Sequence, residues 1–172
     1  MAHLTDEGHT IATKYAKIFF EESKSGHISM YSEAYDDGLD MIGDGFGREV
    51  FTLPEMYVDD NSPPNNGYIV KFPMVSTHGT ANGKAQNKYE IESWEKRLSQ
   101  FQNHLLPIVD YHDDGWWVAM PRADEADNNS PEGQDKITEL EHEGFVFDDE
   151  IELGWYEGEL RLLDYGYSVS VK

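Results

Sequence analysis

At 172 residues the chain has the length of one ordinary domain, long enough to bury a core and too short for a complete two-lobed enzyme of about 250 residues or more. Thirty-four acidic side chains against thirteen basic ones give a formal net charge of −21, which argues against direct binding of DNA or RNA, because phosphate neutralisation needs a basic stripe. The absence of cysteine excludes disulfides, thiolate nucleophiles and cysteine metal sites, and no apolar stretch approaches the length of about 18 residues that a membrane span needs.

No basic segment followed by an apolar run opens the chain, so the expectation is a soluble cytoplasmic protein without a secretion signal or membrane contact. The carboxylates recur as short runs, Asp36-Asp37, Asp59-Asp60, Asp113-Asp114 and Asp148-Asp149-Glu150, and do not gather in one tail. That distribution predicts a solvated acidic surface. With lysine scarce, the balance resembles that of haloarchaeal proteins and of the viruses that infect those cells, which implies a high-salt cytoplasm. Two functional readings compete with adaptation: a nucleic-acid mimic that occupies a basic partner, and a cation-binding surface.

In chain order, Ile11, Tyr15, Ile18 and Phe19 fall on one face of a helix predicted over Thr10–Ser25, with Gly26 as its C-terminal cap. A shorter helix is predicted over Ser29–Tyr35. Gly38, Gly43, Gly45 and Gly47 then predict a loop or tight turns. Arg48–Leu53 and Gly67–Phe72 read as the strands of a hairpin whose long tip holds Asp59 to Gly67. Ser76–Gly83 reads as a loop. Beyond it Ile91, Trp94, Leu98, Phe101 and Leu105 keep a helical period that Pro107 ends.

Ile108–Tyr111 and Trp116–Met120 predict a second hairpin, turned by His112-Asp113-Asp114-Gly115, and strand alternation puts one of Trp116 and Trp117 inward. Asp124–Gln134 reads as a polar loop, Lys136–Glu143 as a brief helix, and Ile151–Trp155 with Glu159–Asp164 as strands joined by Glu157-Gly158. The fold class expected is α+β: a mainly antiparallel sheet of about five strands with a long packed helix, an N-terminal helix and a short C-terminal β-hairpin. One domain is expected, divided into an N-terminal helical segment (1–40), a sheet and helix (41–123), a loop (124–135) and a reduced C-terminal part (136–172).

Lys71 stands in an otherwise apolar strand between Ile69, Val70 and Phe72, where an unpaired ammonium is costly, so an anionic partner is expected. Glycines let backbone amides approach phosphate oxygens without a Cβ in the way. The order of the pieces is a glycine-rich loop, a strand, a strand with a central lysine, a helix with glutamates and a hairpin. The segments Gly43-Asp44-Gly45-Phe46-Gly47-Arg48-Glu49-Val50, Tyr68-Ile69-Val70-Lys71-Phe72, Asn87-Lys88-Tyr89-Glu90, Trp117-Val118-Ala119-Met120-Pro121 and Leu162-Leu163-Asp164-Tyr165-Gly166 carry that order. It resembles the amino-terminal lobe of the protein-kinase-like fold over residues 40 to 124 and 145 to 167.

The resemblance implies that Gly43, Gly45 and Gly47 lie over a nucleotide and that Lys71 contacts phosphate and pairs with Glu90, with Glu92 as second choice. Asp164, in place of the Asp-Phe-Gly aspartate, would hold a divalent cation. ATP and magnesium are therefore the implied cofactors, and a nucleotide or a protein is the implied partner. The chain departs from the kinase pattern where the base should stand. It has no His-Arg-Asp, no asparagine stands where Leu153 and Gly154 follow Asp148 and Asp149, and Tyr167 to Lys172 leaves no activation segment. The implied protein is truncated and impaired in phosphotransfer, and the alternative is a non-enzymatic acidic interaction or assembly protein.

Other constellations carry less. The seven histidines form no metal-ligand pair at helical spacing, and His104 is expected at the surface or as a C-terminal helix-dipole partner. His112-Asp113-Asp114 reads as a turn, and no local Ser-His-Asp motif is present.

Overall fold

The computed structural model describes residues 1–45, 47–75 and 82–172. They form two compact units. The first comprises Met1–Lys88 with Ile108–Pro121, and the second Tyr89–Pro107 with Arg122–Lys172. The class is α+β, and among the described residues no helix is long and apolar enough to cross a membrane.

The first unit opens with β1 (His3–Leu4) and α1 (Asp6–Ser23). The helix starts four residues before the periodicity predicts, because Thr5 caps it: its hydroxyl accepts the Gly8 N–H at 3.0 Å, and Asp6 and Glu7 sit on the positive end of the dipole. Gly26, at φ +74°, takes the left-handed conformation expected just past the helix end. After α2 (Tyr31–Asp36) comes β2 (Met41–Asp44), a strand where glycine density predicts only loop. Gly43 pairs with Val50 inside that strand, Ile42 is taken up by a register shift, and the tight turn is confined to the residues around Gly45 and Gly47.

The sheet continues through β3 (Arg48–Leu53) and β5 (Tyr68–Pro73), while β4 (Val58–Asp59) between them pairs with β1 in a separate two-stranded sheet. The expected loop over Ser76–Gly83 falls outside the described residues at 76–81, and Gly83 already belongs to α3 (Gly83–Glu92). The hairpin β6 (Asp110–Tyr111) and β7 (Val118–Pro121) completes an antiparallel sheet ordered β2-β3-β5-β7-β6.

Helix α1 buries Ala12, Tyr15, Ala16 and Phe19 in the same core cluster as Phe51, Val70, Phe72 and Ala119 of the sheet. Phe19 stacks on Phe51 at 5.2 Å and meets Phe72 edge-on at 5.8 Å. Trp117 is the tryptophan that alternation turns inward; it is fully buried, and its indole N–H donates to Thr13 Oγ1 at 3.0 Å. Burial, with the Asp37 carboxylate at 2.5 Å, pushes the Tyr15 phenol up to about 12, and burial also raises that of Tyr31. A phenol raised in the folded state contributes stability below its ordinary value near 10, and that contribution is lost as pH climbs through the folded value. Unfolding free energy measured by denaturant titration should therefore fall between about pH 10 and about 12, and Tyr15→Phe should make that fall shallower. Identical slopes in the two proteins would show that Tyr15 does not titrate in this window.

In the second unit the predicted long helix is three different windings. The α-helical part ends at Glu92, Ser93–Arg97 widens to a π turn, and Ser99–His104 tightens to 3-10 with Phe101 outside helical angles. The Ser93 hydroxyl takes the Tyr89 carbonyl at 2.8 Å, Arg97 donates to that hydroxyl at 2.7 Å, and the Leu98 N–H reaches the Ser93 carbonyl across five residues. Such competition for helix carbonyls bends and rewinds a helix. The polar stretch expected to be loop through Gln134 holds β8 (Asp124–Glu125) and the start of α4 (Pro131–His142). Ser130 caps α4, with proline at the first helical position, so the predicted Lys136 start is too late. The short strands β9 (Phe145–Phe147), β10 (Leu153–Tyr156), β11 (Glu159–Leu162) and β12 (Val169–Val171) follow. The expected hairpin is β10–β11, turned at Glu157 and Gly158 with positive φ, and β10 also pairs with β8. Pairing of β9 with β12 is an addition that sequence periodicity does not show.

Candidate functional site

Register places the predicted lysine precisely within the first unit's sheet. Gly43 pairs with Val50, Val50 with Lys71, Lys71 with Val118 and Val118 with Tyr111, so these five residues form one row across the five strands. Directly paired residues point to the same face. The adjacent row, Phe51-Val70-Ala119, points to the opposite face and into the α1 core. Lys71 therefore lies on the face away from α1, two strands or about 10 Å from Gly43. Arg48, two residues before Val50, is on the Lys71 face as well. Both cations are nearly buried, Lys71 at 5 % and Arg48 at 7 % exposure.

Helix α3 reaches the same strands through Asn87, which is wholly buried. Its amide oxygen accepts from Arg48 at 3.3 Å, and its amide nitrogen donates to the Gly115 carbonyl at 3.0 Å and, more weakly, to the Lys71 carbonyl at 3.5 Å. One side chain thereby ties β3, β5 and the β6–β7 turn to the helix. Neither Arg48 nor Asn87 is singled out by sequence reasoning; for Arg48 the signal was available, since alternation from Val50 puts it on the Lys71 face.

The three glycines have different reasons to be glycine. Gly47 has φ +96°, and its carbonyl accepts the Met74 N–H at 2.7 Å, which pins the turn to the end of β5. At Gly43 a Cβ would meet nothing nearer than Val50 Cβ at 3.8 Å, and at Gly45 nothing nearer than the Arg48 carbonyl at 3.8 Å. Packing does not demand glycine at either position. Phe46 lies outside the described residues. Two nearly buried cations on the same face suit a phosphate group.

On the opposite face, paired with Phe72, is Glu49. Burial pushes its carboxyl up and the neighbouring Asp44 adds to this, while the Tyr31 hydroxyl, donating to both carboxylate oxygens at 2.6 and 2.9 Å, pulls it down.

The two predicted acids belong to the second unit. Glu90, on the last turn of α3, is completely buried; it shares a stripe with Gly83 and Asn87 at helical spacing, whereas the second choice, Glu92, is exposed. Asp164 follows β11 and accepts the Gly166 N–H at 3.2 Å, and Tyr165 is buried with its hydroxyl donating to the Leu106 carbonyl at 2.8 Å. A partly buried carboxylate of this kind is a hard oxygen ligand of the type magnesium takes alongside phosphates. Lys71, Glu90 and Asp164 are each engaged by neighbouring groups.

His104 lies in the last turn of the 3-10 stretch, as a dipole partner would, but not at the surface. It is 3 % exposed, and its ring is held by Glu143 at 2.8 Å and Lys136 at 2.8 Å. Among the described residues, His104, Glu139 and Glu143 bring their ligand atoms within 4.8 Å of one another. No family model matches this chain, and no curated protein matches it either.

Proposed function

We propose that the chain is a kinase-like protein that binds the phosphates of a nucleotide on the Gly43–Lys71 face and is impaired in phosphotransfer. The observation that carries this reading is the cross-strand row Gly43-Val50-Lys71-Val118, with a nearly buried lysine two strands from a glycine that packing does not require. It draws further support from the element order: a hairpin turned at glycines, a strand carrying the lysine, a helix, and a second hairpin. That is the order the resemblance calls for.

Lys71 and Arg48 supply positive charge where transferred phosphate oxygens accumulate negative charge. ATP with magnesium is the ligand to test. Bound magnesium would neutralise phosphate charge. The chain's segment Phe147 to Trp155 offers no His-Arg-Asp base, which is why impaired catalysis is part of the proposal.

The test is thermal unfolding in concentrated KCl with and without ATP and magnesium. Ligand at about 100 times its dissociation constant should stabilise the native protein by about 2.7 kcal/mol, and Lys71→Ala should lose the effect while remaining folded. No shift in the native protein, or an equal shift in Lys71→Ala, would reject the reading.

One observation favours a second reading. Asp113, Asp114, Asp148, Asp149 and Glu150 are all exposed, so the excess charge lies on the surface. A non-enzymatic acidic interaction protein adapted to high salt predicts no nucleotide effect and a specific partner retained in a pull-down at high KCl.

A further inference from the structure

The second unit contains a side-chain chain that the nucleotide reading does not use. His104 closes the 3-10 turn, and α4 presents Lys136, Glu139 and, at its C-cap, Glu143 toward it. Lys136 Nζ stands 2.8 Å from His104 Nδ1, and His104 Nε2 stands 2.8 Å from Glu143 Oε2. Lys136 also donates to Glu139 Oε2 at 2.9 Å, and Asn103 Nδ2 lies 3.2 Å from His104 Nε2. Phe145 meets the imidazole edge-on at 6.1 Å and is itself packed against Phe101 at 5.1 Å, so the ring has an apolar wall.

An ammonium has only donors, so His104 Nδ1 must accept from Lys136, which leaves the ring proton on Nε2, facing the Glu143 carboxylate. The result is the sequence amine, imidazole, carboxylate. A nucleophile within hydrogen-bond reach of a base that a third group orients is the arrangement that activates hydroxyl and thiol nucleophiles in unrelated folds. A divalent cation is a poorer occupant of the His104, Glu139 and Glu143 group, because the Lys136 ammonium already bridges His104 and Glu139.

We propose that Lys136 is a nucleophilic amine, with His104 as its base and Glu143 as the positioning residue, and that it condenses with a small aldehyde or ketone to form an imine. The Lys136 ammonium gives a proton to His104 Nδ1, and the resulting imidazolium is held by Glu143. The freed nitrogen lone pair adds to the carbonyl carbon, the C=O pair moves to oxygen, and a proton passes from nitrogen to that oxygen to give a carbinolamine. His104 then protonates the hydroxyl, the C–O bond breaks, and water leaves. Ammonium plus carbonyl thus becomes protonated imine plus water, with no change of oxidation state. The Lys136 side chain is 13 % exposed, which favours a small carbonyl compound as the probe.

The experiment treats the folded, full-length protein in KCl with propionaldehyde and cyanoborohydride and maps the alkylated lysines by peptide mass spectrometry over time. Lys136 should be alkylated about 100-fold faster than Lys17 and Lys84, the lower end of what a positioned base contributes. His104→Gln should remove that advantage, and Glu143→Gln should change the pH profile of Lys136 alkylation while those of Lys17 and Lys84 stay as they were. Alkylation of Lys136 no faster than that of Lys17 and Lys84 in the wild-type protein overturns the proposal without recourse to any variant. A folded His104→Gln protein whose Lys136 reacts at the wild-type rate overturns it equally.

Discussion

Gly83→Ala is expected to destabilise the first unit by about 3 kcal/mol or more, the upper end of what overpacking costs. A Cβ at Gly83 would stand 1.9 Å from the Gly47 carbonyl oxygen and 2.7 Å from both the Met74 nitrogen and the Pro73 Cα. All three neighbours are backbone, so none can rotate away. The substitution also removes chain entropy from the unfolded state and adds helix propensity, together about 1 kcal/mol in favour of alanine, which does not offset contacts this short. For a chain of this size the loss corresponds to a fall in melting temperature of about 6 to 12 °C. Gly67→Ala is the control. Gly67, unlike Gly83, has a positive φ, and nothing lies within 4 Å of its Cβ position, so only the backbone penalty of about 1 to 2 kcal/mol applies. Equal effects in thermal melts of the two variants would mean that the glycine turn and the start of α3 are not seated against each other.

That seat matters to the candidate site because Gly47, Met74 and Gly83 bind in series: the Met74 N–H donates to the Gly47 carbonyl, and the Gly83 N–H donates to the Met74 carbonyl at 3.2 Å. Asn87, one helical turn further on, then holds Arg48 and the Gly115 carbonyl. A disturbance at Gly83 should reach the Lys71 row through these bonds. Gly83→Ala should therefore weaken any nucleotide-induced stabilisation, even at temperatures where the variant is folded.

How far residues announced this arrangement depends on the range of the interaction that decides it. Arg48–Leu53 coincides with β3, because alternation and β-branched or aromatic side chains are local signals. The winding after Glu92 is not local in that sense. Ile91, Trp94, Leu98, Phe101 and Leu105 keep a helical spacing, yet the Ser93 hydroxyl and Arg97 redirect the carbonyls that an α-helix would use. Two helix starts were legible and overlooked. Asn82 accepts from the N–H groups of Lys84 and Ala85, and Ser130 precedes Pro131, both of which are ordinary N-terminal signatures. Lys71 was legible because a lone charge in an apolar strand stands out. The Lys136-His104-Glu143 chain was not, since its members are 32 and 39 residues apart and no period links them.

The other large effect expected is from salt. Two like charges about 10 Å apart in water repel by about 0.4 kcal/mol before screening. With a Debye length of about 10 Å at 0.1 M and about 3 Å at 1 M, screening lowers that repulsion about tenfold between the two conditions. With 34 acidic and 13 basic side chains, like-charge pairs outnumber opposite ones, and among the described residues ion pairs such as Lys14 with Glu33 and Lys24 with Glu21 join exposed groups. Exposed pairs of this kind contribute little. Compaction brings carboxylates closer than they stand in the unfolded chain, so the repulsion acts mainly on the folded state. Lowering KCl from about 2 M to about 0.1 M should therefore reduce the melting temperature steeply, with the protein largely unfolded at the low end. Concentrated sucrose should restore less stability than KCl does, because it leaves the charge unscreened. A melting temperature that hardly changes with KCl would show that the carboxylates are already well enough spaced, and the high-salt reading of the composition would fall.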